Sequence, residues 1–253
     1  MKIWGRQLLL GLACSVCALP ALAVGEPPPL RVIAARETPF FYVENGAMKG
    51  IEYEILSYFA KSTGRRLEVQ WAEKFSDLLD TLGKGGCDIA SGSITVTPQR
   101  RERFGFSSAY LTIRVVLVEP KAQTTERLDQ LRGATLAAIR GSTYETLLAR
   151  APDVDFIYGA RADELLGMVA SGKARATAVD SLIALVAIQK YPQLKLSLPL
   201  SGPESYGFAV AKGSPLEGEL SAAIERLRGS KKYFEILQRH LGSDAAQLVG
   251  AAN

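Results

Sequence analysis

The sequence predicts an α/β protein made of two doubly wound units, each a mainly parallel sheet covered by helices. Short apolar runs typical of strands alternate with amphipathic patterns typical of helices, and this alternation begins at Leu30 and restarts at Thr135. The connections between elements are short, as expected for consecutive βα units. Since ligands of such sheets bind beyond the carboxyl ends of the strands, we expect a binding crevice between the two units.

Each element follows from its local pattern. Helices are indicated by apolar residues that recur every three or four positions and by a glycine beyond the last turn. The first series comprises a strand at 30–34, a helix marked by Ile51, Ile55, Leu56 and Phe59 and closed by Gly64, a strand at 67–71, a helix with Leu78, Leu79 and Leu82 on one face, and a strand at 87–90. The second series comprises strands at 135–139, 154–158 and 176–179 and helices at 143–150, 162–170 and 181–190.

Two apolar β runs outside these series predict how the units are connected. The runs at 115–118 and 207–211 are each able to cross from one unit to the other, and two crossings make the first unit discontinuous. Helical patterns at 220–227 and 234–241 are expected to pack back onto it. The expected organisation is a first lobe at 30–115 and 207–243, a second lobe at 116–206 and a C-terminal tail at 244–253.

Residues 1–23 predict a cleavable secretory signal peptide. Lys2 and Arg6 precede an apolar run, and the small-residue sequence Ala21-Leu22-Ala23 ends it. The run is too short and too interrupted to span a bilayer as a helix. We therefore expect an exported protein of the periplasm.

Cysteine usage and charge argue against several classes of protein. Cys14 and Cys17 lie within the signal, which leaves Cys87 alone, so we expect a buried thiol and no disulfide framework. The 30 basic residues become 28 once Lys2 and Arg6 leave with the signal, against 26 acidic residues. This near-neutral balance, without a long basic stripe, does not indicate a nucleic-acid partner. No metal-ligand spacing is present, and we expect neither a metal nor a cofactor.

The most informative stretch is a run of hydroxyl residues that precedes an arginine at a predicted helix start. Thr97 is suited to cap the helix and Pro98 to its first position, which places Arg100 in the first turn beside unpaired backbone N–H groups. Ser93 and Thr95, two apart in an extended segment, are expected to point to the same side. Together these groups would form a carboxylate receptor. The alternative is a capped surface helix with a solvated arginine.

Six motifs follow one another along the chain in a fixed order. They are L-R-V-I-A, P-F-F-Y-V-E-N-G-A-M-K-G-I-E-Y-E-I-L, G-C-D-I-A-S-G-S-I-T-V-T-P-Q-R-R-E-R-F-G-F-S-S-A-Y, L-R-G-A-T-L-A-A-I-R-G-S-T, A-T-A-V-D-S and Y-G-F-A-V-A-K-G-S-P-L. In this order they resemble the bacterial extracellular solute-binding proteins of family 3, over residues 30 to about 242.

This resemblance implies a fold, a function and a partner. Members have the type II periplasmic binding protein fold, in which two α/β lobes on a two-strand hinge close around the ligand like a Venus flytrap. Most are periplasmic receptors for amino acids that deliver the ligand to an ABC permease in the inner membrane. The resemblance therefore implies a monomeric receptor, not an enzyme, for a small amino-acid-type ligand.

The resemblance also assigns roles to residues of both lobes. Arg100 would grip the α-carboxylate of the ligand, and Ser93 and Thr95 would add hydroxyl contacts from the first lobe. Thr143, in G-S-T before a helix, would make a second carboxylate contact, unless it serves only as a cap. Asp180, at the end of a strand of the second lobe, would bind the α-ammonium, and it could cap the following helix at the same time.

Three further positions are candidates for contacts with the ligand side chain. Phe75 matches the aromatic residue that stacks on the ligand, although its position in a helical pattern also suits the core. Tyr144 would line the same end of the pocket. Glu37 departs from the family pattern, which usually has an aromatic residue at this point. Its carboxylate could face the pocket and favour a cationic side chain, or it could form a salt bridge with Arg36 or a surface partner.

Two other functions use the same fold. A few exported dehydratases share it, and Glu37 could supply the carboxylate that such a reaction needs. The receptor-like half of some murein lytic transglycosylases shares it too, and the run G-I-E-Y-E-I-L resembles them, but we expect no transglycosylase domain after Asn253. His240 is expected to lie outside the cleft, so it offers no acid or base there. A sensory protein that feeds a membrane receptor is the remaining alternative to transport.

Overall fold

The structure, a computed structural model, describes residues 26–242, except for the side chains of residues 187 and 188. The predicted signal peptide at 1–23 and the predicted tail at 244–253 lie outside the described residues. Within the described part, no helix combines the length and the apolar character needed to cross a membrane.

Strands and helices alternate through both halves of the chain. In chain order the elements are β1 (Leu30–Ala34), β2 (Tyr42–Glu44), β3 (Ala47–Lys49), α1 (Ile51–Ser62), β4 (Leu67–Trp71), α2 (Phe75–Gly83), β5 (Ile89–Ser91), α3 (Pro98–Arg103), β6 (Phe104–Phe106), β7 (Leu111–Ile113), β8 (Val115–Pro120), a short 3₁₀ helix (Leu128–Leu131), β9 (Thr135–Ala138), α4 (Thr143–Leu148), β10 (Asp155–Tyr158), α5 (Ala162–Ala170), β11 (Ala176–Asp180), α6 (Ser181–Lys190), β12 (Leu194–Pro199), β13 (Glu204–Tyr206), β14 (Ala209–Ala211), α7 (Leu216–Arg228) and α8 (Lys231–Leu241).

Two five-stranded sheets form the framework. The first has the strand order β4-β1-β5-β14-β6, and the second has the order β10-β9-β11-β8-β12. In each sheet four strands run in one direction and one strand, β14 or β8, is antiparallel to both neighbours. The sheets are therefore mixed, and the prediction of two α/β units is confirmed.

Burial follows strand position and explains the sequence patterns. The central strands β5 and β11 are buried along their whole length, because helices or neighbouring strands cover every side. The edge strand β4 alternates between partly buried and exposed residues. Helices α1, α2 and α7 pack with the first sheet and α4, α5 and α6 with the second, while α8 packs on α1 and α7. Cys87 is a buried free thiol, as predicted.

The strands that connect the lobes are not the ones predicted. β8 lies inside the second sheet between β11 and β12, and β14 lies inside the first sheet between β5 and β6. The connection is instead the antiparallel pair of β7 and β13, in which Leu111 lies opposite Tyr206 and Ile113 opposite Glu204. Apolar runs indicate strands buried within a sheet, whereas the connecting pair is short and one of its strands, E-S-Y, is polar. The prediction that the apolar runs at 115–118 and 207–211 cross between the lobes is therefore wrong.

Candidate functional site

A cavity of about 210 Å³ lies between the loops that follow the strands of the two sheets. Loops after β1, β4 and β5 line it from the first lobe, and loops after β9, β10 and β11 line it from the second. Six of the eight predicted site residues line it, namely Glu37, Phe75, Ser93, Thr95, Thr143 and Tyr144. The other two, Arg100 and Asp180, contact lining residues from behind. The predicted crevice at the carboxyl ends of the strands is therefore present.

Arg100 is held at the base of this site by backbone oxygens. The Thr97 hydroxyl caps α3 by accepting from the Arg100 N–H at 3.2 Å, and Pro98 occupies the first helical position, as predicted. The guanidinium donates to the carbonyl of Thr95 at 2.8 Å and to that of Gly141, in the second lobe, at 3.3 Å. Its carbon lies 5.3 Å from the centre of the Phe75 ring. This arginine is partly buried, and burial lowers the pKa of its guanidinium.

The segment that contains Ser93 and Thr95 is not extended as predicted. β5 ends at Ser91, and Ser93 has a φ of 52°, in the left-handed region. The Ser93 N–H donates to the carboxylate of Glu52 at 2.7 Å, which holds the backbone in this turn. Both side chains nevertheless line the cavity. The Ser93 hydroxyl oxygen is buried, and no described residue forms a hydrogen bond with it.

Three contacts join the lobes across the cavity. The hydroxyls of Thr95 and Thr143 lie 3.3 Å apart, and Arg100 reaches the Gly141 carbonyl. The third contact runs from the backbone N–H of Ala162, at the start of α5, to Glu37 Oε2 at 3.0 Å. The described arrangement is therefore one in which the two lobes touch around the cavity.

Asp180 is buried, and its two oxygens are already occupied. Oδ1 accepts from the backbone N–H groups of Leu182 and Ile183, both at 2.9 Å, which is the capping geometry for α6. Oδ2 accepts from the hydroxyls of Tyr144 at 3.1 Å and Tyr206 at 3.0 Å. Burial raises the pKa of this carboxyl, while the hydrogen bonds oppose the rise. Asp180 therefore caps α6, which is the alternative that the sequence left open.

Glu37 lies in the turn after β1 and faces the second lobe. Its backbone N–H and C=O both bond to Phe41, whose side chain is fully buried, and this fixes the turn. The Arg36 guanidinium lies 4.7 Å from the centre of the Trp71 ring, and none of the described ion pairs joins it to Glu37. Burial between the lobes raises the pKa of the Glu37 carboxyl to about 8. The carboxylate therefore faces the pocket.

Sequence reasoning missed a buried carboxylate beneath the site. Glu52 is fully buried and accepts from the Ser91 hydroxyl at 2.8 Å, the Ser93 N–H and the Tyr110 hydroxyl. Burial raises the pKa of Glu52. A signal was present, because Glu52 lies on the same helical face as Ile55, and a carboxylate on an apolar face needs buried donors.

Tyr206 was also missed. It lies on the connecting strand β13, lines the cavity and donates to Asp180. A tyrosine beside an apolar strand gave no signal of this role. His240 does not line the cavity: its Nε2 lies 2.7 Å from a carboxylate oxygen of Glu54 and its Nδ1 3.2 Å from the Tyr42 hydroxyl. Among the residues at 26–242, no cluster of three or more His, Cys, Asp or Glu side chains could hold a metal ion.

Comparison with known proteins decides the family. Residues 30–243 match the bacterial extracellular solute-binding proteins, family 3. The chain belongs to this family. The matched region includes both sheets and the six loops, three from each lobe, that line the cavity.

The chain is similar in sequence to longer curated proteins and in fold to solved binding proteins. The chain is 31% identical over 232 residues to the membrane-bound lytic murein transglycosylase F of Maricaulis maris. The aligned region covers 83% of this chain and 51% of that protein. The substrate-binding protein of an amino acid ABC transporter superimposes with a TM-score of 0.78 at 24% identity, covering 85% of this chain and 99% of that one. An ancestral arginine-binding protein bound to arginine also gives 0.78 at 24% identity, covering 86% and 100%.

The chain spans about half the length of the curated relatives that it matches. Those relatives are named as enzymes, whereas the structural neighbours are named as binding proteins. The function that the site must explain is therefore the binding of a solute, which the family description gives.

Proposed function

We propose that this chain is a receptor that captures a small amino-acid-type solute by closing its two lobes around it. The proposal rests above all on the cavity between the two sheets, where the buried Ser93 hydroxyl has no partner among the described residues. An unpaired buried hydroxyl costs about 1–3 kcal/mol, so a ligand atom that bonds to it is favoured. The volume of about 210 Å³ lies below the range for drug-sized ligands and suits a solute as small as an amino acid.

The first-lobe side of the cavity supports a site for the ligand carboxylate. Arg100 and the hydroxyls of Ser93, Thr95 and Thr143 provide donors from both lobes. Arg100 now bonds to neutral carbonyl oxygens, and the two threonines bond to each other. A carboxylate is a stronger acceptor than a carbonyl, so it can replace these contacts with charge-assisted bonds. Phe75, beneath the guanidinium, offers a ring face to the rest of the ligand.

Delivery of the ligand to an ABC importer in the inner membrane is part of this proposal, with the receptor acting as a monomer in the periplasm. The family match and the neighbour named as part of an amino acid ABC transporter support it. A ligand-binding part of a murein transglycosylase is a second candidate. It is favoured by curated relatives with that name that are about twice as long, in which the matching region is one part of a longer protein.

A screen of the mature protein by calorimetry and thermal shift tests the proposal. The ligands are the twenty amino acids, citrulline, ornithine and small organic acids. We expect one-to-one binding of at least one L-amino acid and stabilisation by it. Silence from all α-amino acids together with a clear signal from a dicarboxylate or sugar acid would overturn the assignment.

A further inference from the structure

Three carboxylates lie in or beneath the cleft: Glu52 and Asp180 are buried, Glu37 is partly buried, and they differ in how many donors each already has. Glu52 accepts from at least three protein groups. Asp180 accepts from four. Glu37 accepts from one, the N–H of Ala162. Of these three carboxylates, Glu37 therefore has the most capacity to accept another hydrogen bond.

Glu37 also has the position that a ligand-binding carboxylate needs. It lines the cavity of about 210 Å³ and, on its other side, a second cavity of about 490 Å³ between the lobes. Its Oε2 holds the Ala162 N–H, and no described residue donates to its Oε1. A ligand group that enters the first cavity can therefore reach an oxygen that the protein leaves open.

The charged groups around Glu37 do not neutralise it. They are Arg36 on its own loop, Arg161, Asp163 and Glu164 on α5, Lys190 on α6, Asp180 on β11 and the phenol of Tyr144 on α4. The three cations have other partners, since Arg36 lies over Trp71, Arg161 pairs with Glu164 and Lys190 pairs with Asp163. Glu37 thus remains a partly buried acid that none of the described ion pairs joins to a cation.

We propose that Glu37 accepts the positively charged group of the ligand and releases a proton when it does so, which makes this carboxyl the determinant of selectivity for cationic solutes. When the ligand binds, the neutral acid loses its proton to solvent, and the resulting carboxylate pairs with the ligand's ammonium or guanidinium. This inference rests on the proposed function, because it names the ligand class of the same cleft.

The electrostatics of the site explain why Glu37 has a proton to release. Burial is the main cause that raises the pKa of Glu37 to about 8, the negative charges of Asp180 and Asp163 add to it, and the Ala162 N–H and Arg161 oppose it. In this closed arrangement, most of Glu37 is therefore the neutral acid at pH 7. A cation at hydrogen-bond distance favours the ionised form and lowers the pKa again. A neutral ligand of the same shape has no such effect.

Calorimetry in two buffers with different ionisation enthalpies tests this inference. The matched ligands are arginine and citrulline, which are nearly the same shape and differ in charge; lysine and glutamine provide a second pair. At pH 7 we expect release of close to one proton for each cationic ligand bound and none for its neutral counterpart. Affinity for the cationic ligand should rise between pH 6 and 8 by up to about tenfold per unit.

Two variants complete the experiment. Glu37→Gln should abolish the proton release and weaken the cationic ligand about 5- to 150-fold. Glu68→Gln is the matched control, because this exposed carboxylate lies on the edge strand β4 and lines neither cavity, so the proton count should remain that of the parent. Thermal unfolding of both variants checks that they fold.

Each outcome decides between the two proposals. Binding of a cationic ligand without proton release, or equal losses for the charged and neutral ligands in Glu37→Gln, would overturn the role of Glu37 and leave the receptor function standing. Preference for the neutral ligand in the parent would do the same. Failure of every amino acid to bind would overturn the receptor function, and the inference with it.

Discussion

A guanidinium that is partly removed from water needs acceptors, and Arg100 donates to two backbone carbonyls. Carbonyl oxygens carry only part of a charge, so this arrangement satisfies the geometry of the guanidinium but leaves its charge uncompensated. Arg101 and Arg103, on the same short helix, lie on its exposed face, and Arg103 rests over Phe104. The same helix therefore carries a partly buried arginine and two exposed arginines that serve as controls.

We expect Arg100→Ala to fold and to lose ligand binding almost completely. A ligand carboxylate would be buried without its partner, at a cost of roughly 2–5 kcal/mol, which is a loss of about 30-fold to several thousand-fold in affinity. Titration calorimetry with the ligand found in the screen measures it. Arg101→Ala and Arg103→Ala should bind like the parent, and a comparable loss in either one would show that the carboxylate lies elsewhere.

The pair of strands that joins the lobes also reaches into the site. Tyr206 on β13 donates to Asp180 at the start of α6, and its ring packs edge-on against Phe40 at 5.7 Å. The neighbouring Tyr110, just before β7, donates to Glu52 beneath the Ser93 loop. The connecting strands thus touch the binding loops of both lobes.

Tyr206→Phe should lower the free energy of unfolding by about 1–3 kcal/mol. The change removes one donor from the buried Asp180 and leaves the ring packing in place. Chemical denaturation measures the difference. Tyr53→Phe is the matched control, because none of the described residues forms a hydrogen bond with the Tyr53 hydroxyl, and it should lie within about 0.5 kcal/mol of the parent. Equal effects in the two variants would contradict the role given to Tyr206.

Regular elements were predictable, and irregular backbone was not. The strands at 30–34 and 67–71 and the helices at 162–170 and 181–190 have the bounds that periodicity gave, because burial of one face determines those patterns. The cap at Thr97 followed from local chemistry. The left-handed turn at Ser93 depends on Glu52, 41 positions earlier, and such tertiary contacts leave no local pattern. The connecting strands were missed as well, because they are only three residues long and one of them is polar.

The contact between Glu37 and the Ala162 N–H, one of those that join the lobes, makes closure depend on the ionisation of Glu37. Its pKa in the closed arrangement, about 8, is raised above the usual value of 4.5 that it has when exposed. Protonation therefore favours closure, and this contribution is full below about pH 4.5 and is lost as the pH rises through 8. The preference changes by up to about 1.4 kcal/mol per pH unit within that window.

The unliganded protein should consequently open as the pH is raised from 6 to 9. Small-angle X-ray scattering should record an increase in the radius of gyration of the parent over this range. Glu37→Gln, which cannot ionise, should keep one radius throughout. An equal expansion of both proteins would assign the opening to other groups, such as Asp180, whose pKa is also raised by burial.

A ligand that bridges both lobes should stabilise them together. At a concentration one hundred times its dissociation constant, the gain in unfolding free energy is about 2.7 kcal/mol. For a chain of this size that corresponds to a rise of roughly 5–10 °C in the melting temperature. Scanning calorimetry should show one transition that moves as a whole. A split in which only one lobe shifts would indicate that the ligand contacts a single lobe.

The position of β14 determines the order in which the lobes can be completed during synthesis. This strand, at Ala209–Ala211, lies between β5 and β6, so the first sheet has a gap until nearly the whole chain has been made. The second sheet draws all five strands from one continuous stretch between Val115 and Pro199. The half of the molecule that is translated first is therefore the half that finishes folding last.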